Sequence, residues 1–67
     1  MYISYEKLWH ILLNRHMTRE ILRKECKISS NTIAKLGKGQ NVTTDVLLKI
    51  CKYLDCKLED IMEIIKE

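Results

Sequence analysis

The sequence predicts an all-α fold, a compact bundle of five helices, and three observations predict it. The 67 residues make one domain and no more, and 46% of them are hydrophobic, with no proline and few aromatics. That composition suits a fold of mostly local contacts better than a sheet, which needs turn signals every few residues. Apolar residues also recur at helical spacing in one segment after another. A chain of this length buries only about 60% of the surface its unfolded form exposes. The core is therefore small, and short helices have to be held by their neighbours.

In chain order, Met1 to Ile3 read as a short extended arm and Ser4 as a cap for the first helix. Tyr5, Leu8, Trp9, Leu12 and Leu13 fall at i, i+3, i+4, i+7 and i+8, the apolar stripe of that helix, which ends near His16. Trp9 on that stripe reads as a core residue with its ring N–H near a partner, rather than as a base-stacking platform. Thr18 is a good N-cap, and Ile21, Leu22 and Cys26 give the next helix its apolar side. Lys27 and Ile28 interrupt the period. Ser29 then offers a second N-cap, Ile33 and Leu36 lie three apart on one face, and Gly37 and Gly39 supply the backbone freedom that ends a helix.

The polar run Lys38 to Thr43 fits a loop. Thr43 or Thr44 caps a fourth helix, with Asp45 in its first turn and Val46, Leu47, Ile50, Cys51 and Leu54 on its inner face. Asp55 to Lys57 break the pattern. Leu58, Ile61, Met62 and Ile65 restart it at i, i+3, i+4 and i+7 and predict a fifth helix, for which Lys57 is a poor cap.

The net charge of +3 decides little, but its distribution is uneven. Met1 to Asn41 carries eight Lys and Arg against three acids, whereas Val42 to Glu67 carries four against six. The basic half contains the two short central helices, Thr18 to Gly39. On the second of them, between the inward residues, lie Ser30, Asn31, Thr32, Lys35 and, just beyond, Lys38, all polar and none acidic.

At Leu22, Cys26, Ile28, Ile33 and Leu36 the chain resembles the helix-turn-helix of the XRE family, the Cro and phage-repressor type of DNA-binding domain. The resemblance continues through NVTTDVLLKICKYLDCKLEDIMEI, and so covers nearly the whole chain. It implies a lambda-repressor-like fold in which the second motif helix enters the major groove and the first crosses the backbone. Where Arg23 stands the family commonly has a small residue, and where Lys27 stands, a glycine. The turn therefore either holds a lysine at strained dihedrals or takes another shape.

The resemblance puts Ser30, Asn31 and Lys35 in base-facing places. Asn31 can offer adenine an acceptor and a donor together, Lys35 can donate to guanine, and the hydroxyls of Ser30 and Thr32 can serve bases or phosphates. Lys35 is one turn beyond Asn31 on the same face. Phosphate contacts are expected to frame that face, from Thr18 and Arg19 at the start of the first motif helix and from Lys38, Gln40, Asn41 and Thr43 in the loop. The plainer reading is a solvated helix face with an extended Ser- and Thr-rich cap.

Other functions find little in the sequence. Cys51 and Cys56 are five apart, Cys26 stands elsewhere, and His10 and His16 are six apart, so the zinc spacings are missing and neither metal nor cofactor is expected. Three cysteines without even pairing, and no visible leader, lead us to expect a cytoplasmic protein with free thiols. Apolar runs such as Ile11 to Leu13 are far too short to cross a bilayer. A glycine-rich phosphate loop, a nucleophile elbow and a carboxylate–histidine cluster are all lacking, which argues against an enzyme.

Residues 1–67 thus read as a single helix-turn-helix domain that binds double-stranded DNA and regulates transcription. The family resemblance implies a homodimer on a pseudo-palindromic site, because one short helix reads too few base pairs. Ile64, which lies off the last apolar stripe, and Ile65 are the candidates for its surface. The alternative is a protein-interaction module, such as the antitoxin partner of a toxin, whose essential surface is an acidic last helix bearing Glu59, Asp60 and Glu63.

Overall fold

The computed structural model describes residues 1–66. In order they form strand β1 (Tyr2–Ser4), helices α1 (Glu6–Asn14), α2 (Arg19–Cys26), α3 (Ser30–Gly37) and α4 (Thr44–Leu54), a 3-10 turn (Leu58–Asp60) and strand β2 (Glu63–Ile65). The bundle has four helices, and a small antiparallel strand pair stands in place of the predicted fifth. Among the described residues no helix is long and apolar enough to cross a membrane.

The missing helix has a physical explanation. Segment 58–65 has the helical period but places β-branched Ile61, Ile64 and Ile65 along it, residues that lose side-chain freedom in a helix and fit a pleated surface well. The extended arm Tyr2–Ser4 also needs partners for its backbone N–H and C=O groups. β2 supplies them, with Tyr2 opposite Ile65, Ile3 opposite Ile64 and Ser4 opposite Glu63. Ile61 alone of the expected stripe is fully buried, and Met62 packs beside the core. The acidic last helix of the antitoxin alternative is thereby removed: Glu59 and Asp60 lie in the turn and Glu63 in a strand.

One core joins the four helices: Tyr5, Leu8 and Leu12 from the α1 region, Leu22, Cys26 and Ile28 from α2 and the turn, Leu36 from α3, Leu47, Ile50 and Leu54 from α4, with Ile61 from the segment before β2. The α1 stripe is narrower than its spacing suggested, for Leu13 is 71% exposed while Ile11 packs against the core. Ser29 and Thr43 cap α3 and α4, their hydroxyls accepting from Thr32 N at 3.1 Å and Val46 N at 3.4 Å. Thr18 does the same for α2, accepting from Ile21 N at 3.1 Å. Ser4 does not cap α1 in this way, although its hydroxyl accepts from the Glu6 N–H at 3.3 Å.

All four helices end alike. A residue in the left-handed region follows each: His16 (φ 57°), Lys27 (φ 56°), Gly39 (φ 70°) and Asp55 (φ 54°). The next N–H then reaches back five residues, from Met17 to the Leu12 carbonyl (2.8 Å), Ile28 to Arg23 (3.1 Å), Gln40 to Lys35 (2.9 Å) and Cys56 to Cys51 (3.0 Å). These bonds satisfy carbonyls that a helix end leaves orphaned, and they let an apolar residue after the turn fold back onto its helix. Met17, Ile28 and Cys56 all pack into or against the core in this way. Lys27 therefore does hold left-handed dihedrals, with φ 56° and ψ 45°, and the turn between α2 and α3 keeps the geometry that a glycine would have adopted freely.

Candidate nucleic-acid interface

The core holds α3 from one side only. Leu36 is buried and Ile33 packs against the core, which fixes the rotation of the helix. At 100° per residue, Ser30, Asn31, Ala34, Lys35 and Lys38 then share the opposite face, and all five are exposed. None of the five is acidic. Ala34 escapes a reading of the sequence for polar groups because it carries none. Its place three after Asn31 and four after Ser30 is the signal that could have found it.

Thr32 sits at the margin of this face. It is half-buried, and its hydroxyl lies 2.9 Å from that of Ser29, so it is tied into the cap. On the same margin a shallow groove lined by Thr32, Lys35, Asn41, Val42, Thr43 and Val46 joins α3 to the start of α4. It brings together two candidate base-facing residues and two candidate phosphate-facing ones. Thr43 and Thr18 spend an oxygen lone pair on their caps, but each hydroxyl proton can still be donated outward. Lys38, Gln40 and Asn41 are exposed in the loop that Gly39 turns.

The other margin belongs to Arg19. Its guanidinium carbon lies 4.0 Å from the centre of the Trp9 ring. A Cβ built on Gly37 would come within 2.9 Å of Arg19 Nη1, so the same guanidinium also lies beside the end of α3. Arg23 is differently occupied: its Nε donates to Glu20 at 3.1 Å, and that hydrogen bond holds the Glu20 carboxyl below its usual pKa. The only acid on the first turn of α2 is thereby neutralised locally.

The candidates for self-association lie on β2. Ile64 is 61% exposed on β2, and Leu58 is 48% exposed beside it, in an apolar groove completed by Met62 and bordered by Lys7, Lys57, Glu59 and Glu63. Ile65, paired with Tyr2, is half-buried.

The chain is similar to known proteins. The family model of the Cro/C1-type HTH DNA-binding domain matches residues 7–67. A crystal structure of the transcriptional regulator VanUg superposes with a TM-score of 0.94 at 47% sequence identity, covering 98% of this chain and 88% of that one. No curated protein matches the sequence. With the match spanning α1 to β2 and the two short motif helices at its centre, the chain belongs to the Cro/C1-type helix-turn-helix DNA-binding domain family.

Proposed function

We propose that this chain is a transcriptional regulator that binds double-stranded DNA sequence-specifically, with α3 in the major groove. The observation that carries the reading is the exposed, acid-free face of α3, held on a helix capped at both ends and anchored through Leu36. Asn31 pairs with adenine and Lys35 donates to guanine, Ser30 and Thr32 reach bases or the adjoining phosphates, and Ala34 is free to meet a thymine methyl. Thr18 and Arg19 on one margin, and Lys38, Gln40, Asn41 and Thr43 on the other, hold phosphates and fix the register. No chemistry is performed on the DNA.

Two copies act together on a site with two-fold symmetry, because one α3 spans too few base pairs for useful discrimination. The exposed apolar surface around Ile64 and Leu58 favours β2 and the preceding turn as the contact between copies. The protein works in the cytoplasm with its thiols free.

A salt titration tests the DNA reading. The logarithm of the binding constant for a duplex is expected to fall linearly with the logarithm of salt concentration, and Lys38→Ala to reduce the slope by about one. An unchanged slope removes Lys38 from the clamp. Absence of binding at low salt, on any duplex, removes the function.

A further inference from the structure

We infer that Trp9 is a positioning residue for DNA binding: its ring holds the Arg19 guanidinium beside Gly37, with N–H donors left for a phosphate at the flank of α3. The inference deepens the function proposed above and rests on it. Three elements meet at this one side chain. Trp9 lies on α1, half-buried; Arg19 is the first residue of α2; Gly37 is the last of α3. The guanidinium carbon is 4.0 Å from the ring centre, a distance at which the negative face of the indole attracts the cation.

What the stack leaves unspent matters as much as what it holds. Among the described residues Arg19 makes no ion pair and no hydrogen bond, unlike Arg23, which is bonded to Glu20, and Arg15, whose Nη2 donates to the Leu54 carbonyl at 2.8 Å. A ring against one face of a guanidinium does not consume the donors, which radiate in its plane and match two phosphate oxygens at once. A free arginine side chain would have to surrender its rotamer freedom on binding, whereas one already stacked has surrendered it in advance. Gly37 completes the slot. A methyl group there would lie 2.9 Å from Nη1, and only the flexible end of Arg19 stands in its way.

That last point supplies the decisive variant. Gly37→Ala improves helix propensity and displaces the guanidinium without touching the core. The full chain and a duplex obtained by site selection are used throughout, with dissociation constants measured across a salt series and folding followed by thermal melting. Arg19→Gln is expected to weaken binding and lower the salt slope by about one. Trp9→Leu and Gly37→Ala are each expected to weaken binding about three- to tenfold while leaving the slope near its native value, since the charge remains. Trp9→Phe, which keeps a weaker ring face, falls between. The pair Trp9→Leu with Arg19→Gln binds no more weakly than Arg19→Gln alone.

Native affinity in Gly37→Ala, or losses at Trp9 and Arg19 that simply add, overturns the positioning role while leaving the proposed function intact. If Trp9→Leu does not fold, Trp9→Phe and Gly37→Ala decide in its place. An Arg19→Gln protein with native affinity and slope shows that Arg19 meets no phosphate, and the inference falls with it. Failure of the native chain to bind any duplex removes the function and the inference together.

Discussion

Ile3 stands directly opposite Ile64 in the antiparallel pair that joins β1 to β2, yet the two isoleucines have different surroundings. Ile3 is half-buried against the core, whereas Ile64 is 61% exposed. Ile3→Ser is expected to lower stability by about 1–2 kcal/mol, because it removes apolar contact from the strand that closes the core. Ile64→Lys is expected to change monomer stability by no more than about 0.5 kcal/mol and to abolish self-association. Melting curves and sedimentation at micromolar concentration measure both. A dimer undiminished by Ile64→Lys places the contact elsewhere on the molecule.

Lys27 offers a test of the motif turn. A non-glycine residue in the left-handed region costs roughly 1–2 kcal/mol, and part of that gain is returned when glycine loosens the unfolded chain. Lys27→Gly is therefore expected to raise stability by about 0.5–1 kcal/mol, and Lys27→Val, with its branched Cβ, to lower it. Chemical denaturation measures the pair. A destabilised glycine variant contradicts the assignment of strain to this residue.

The folded chain should lose stability in alkali. Burial raises the thiol pKa of Cys26 and Cys56 above the ordinary 9.0, and that of the Tyr5 phenol above 10.0. The protonated, neutral forms are favoured in the fold, so the folded chain keeps these protons to higher pH than the unfolded one. This stabilisation is complete below the unfolded values and is lost as pH rises through the folded ones. Denaturation midpoints are expected to fall above about pH 9, and Cys26→Ala to remove its share of that fall. A profile identical in the variant denies Cys26 the role.

The caps and the core explain why so much of this architecture could be read from residues alone. Thr18, Ser29 and Thr43 announce helix starts by chemistry that is local, a hydroxyl within reach of an N–H three residues on, and the structure uses all three. Leu22, Cys26 and Leu36 are buried as their spacing requires, and Ile28, which interrupts that period, is buried in the turn where the family resemblance has an apolar residue. The segment after Leu58 misleads because its i, i+3, i+4, i+7 period is helical, whereas the fold buries only Ile61 of it fully and sets the rest across a turn and a strand. What selects the strand is Tyr2–Ser4, a partner some sixty residues distant, and no local period contains that contact. The helix ends are obscured for another reason: His16, Lys27 and Asp55 adopt the left-handed turn without being glycine. The stack of Arg19 on Trp9 is likewise invisible in the sequence, since it joins two helices whose relative placement only the fold decides.

Ser29 provides a control for any substitution in α3. Its hydroxyl accepts from Thr32 N and contacts the Thr32 hydroxyl, so Ser29→Ala is expected to cost about 1 kcal/mol of stability. At temperatures where the variant remains folded, its preferred DNA sequence should be that of the native chain. A changed preference makes Ser29 a reader as well as a cap.

Site selection from random duplexes, run in parallel on the native chain and on Asn31→Ala, tests the reading of DNA by α3 most directly. Asn31 is exposed and uncharged, so its loss leaves the phosphate contacts in place. The native chain is expected to select a two-fold symmetric site. The variant should bind that site about 1–3 kcal/mol more weakly and lose its preference at one base pair per half-site, with unrelated DNA bound as before and an unchanged melting curve. Recovery of the same sequence by the variant, with undiminished discrimination at every position, contradicts the assignment and moves base recognition to Ser30, Thr32 and Lys35.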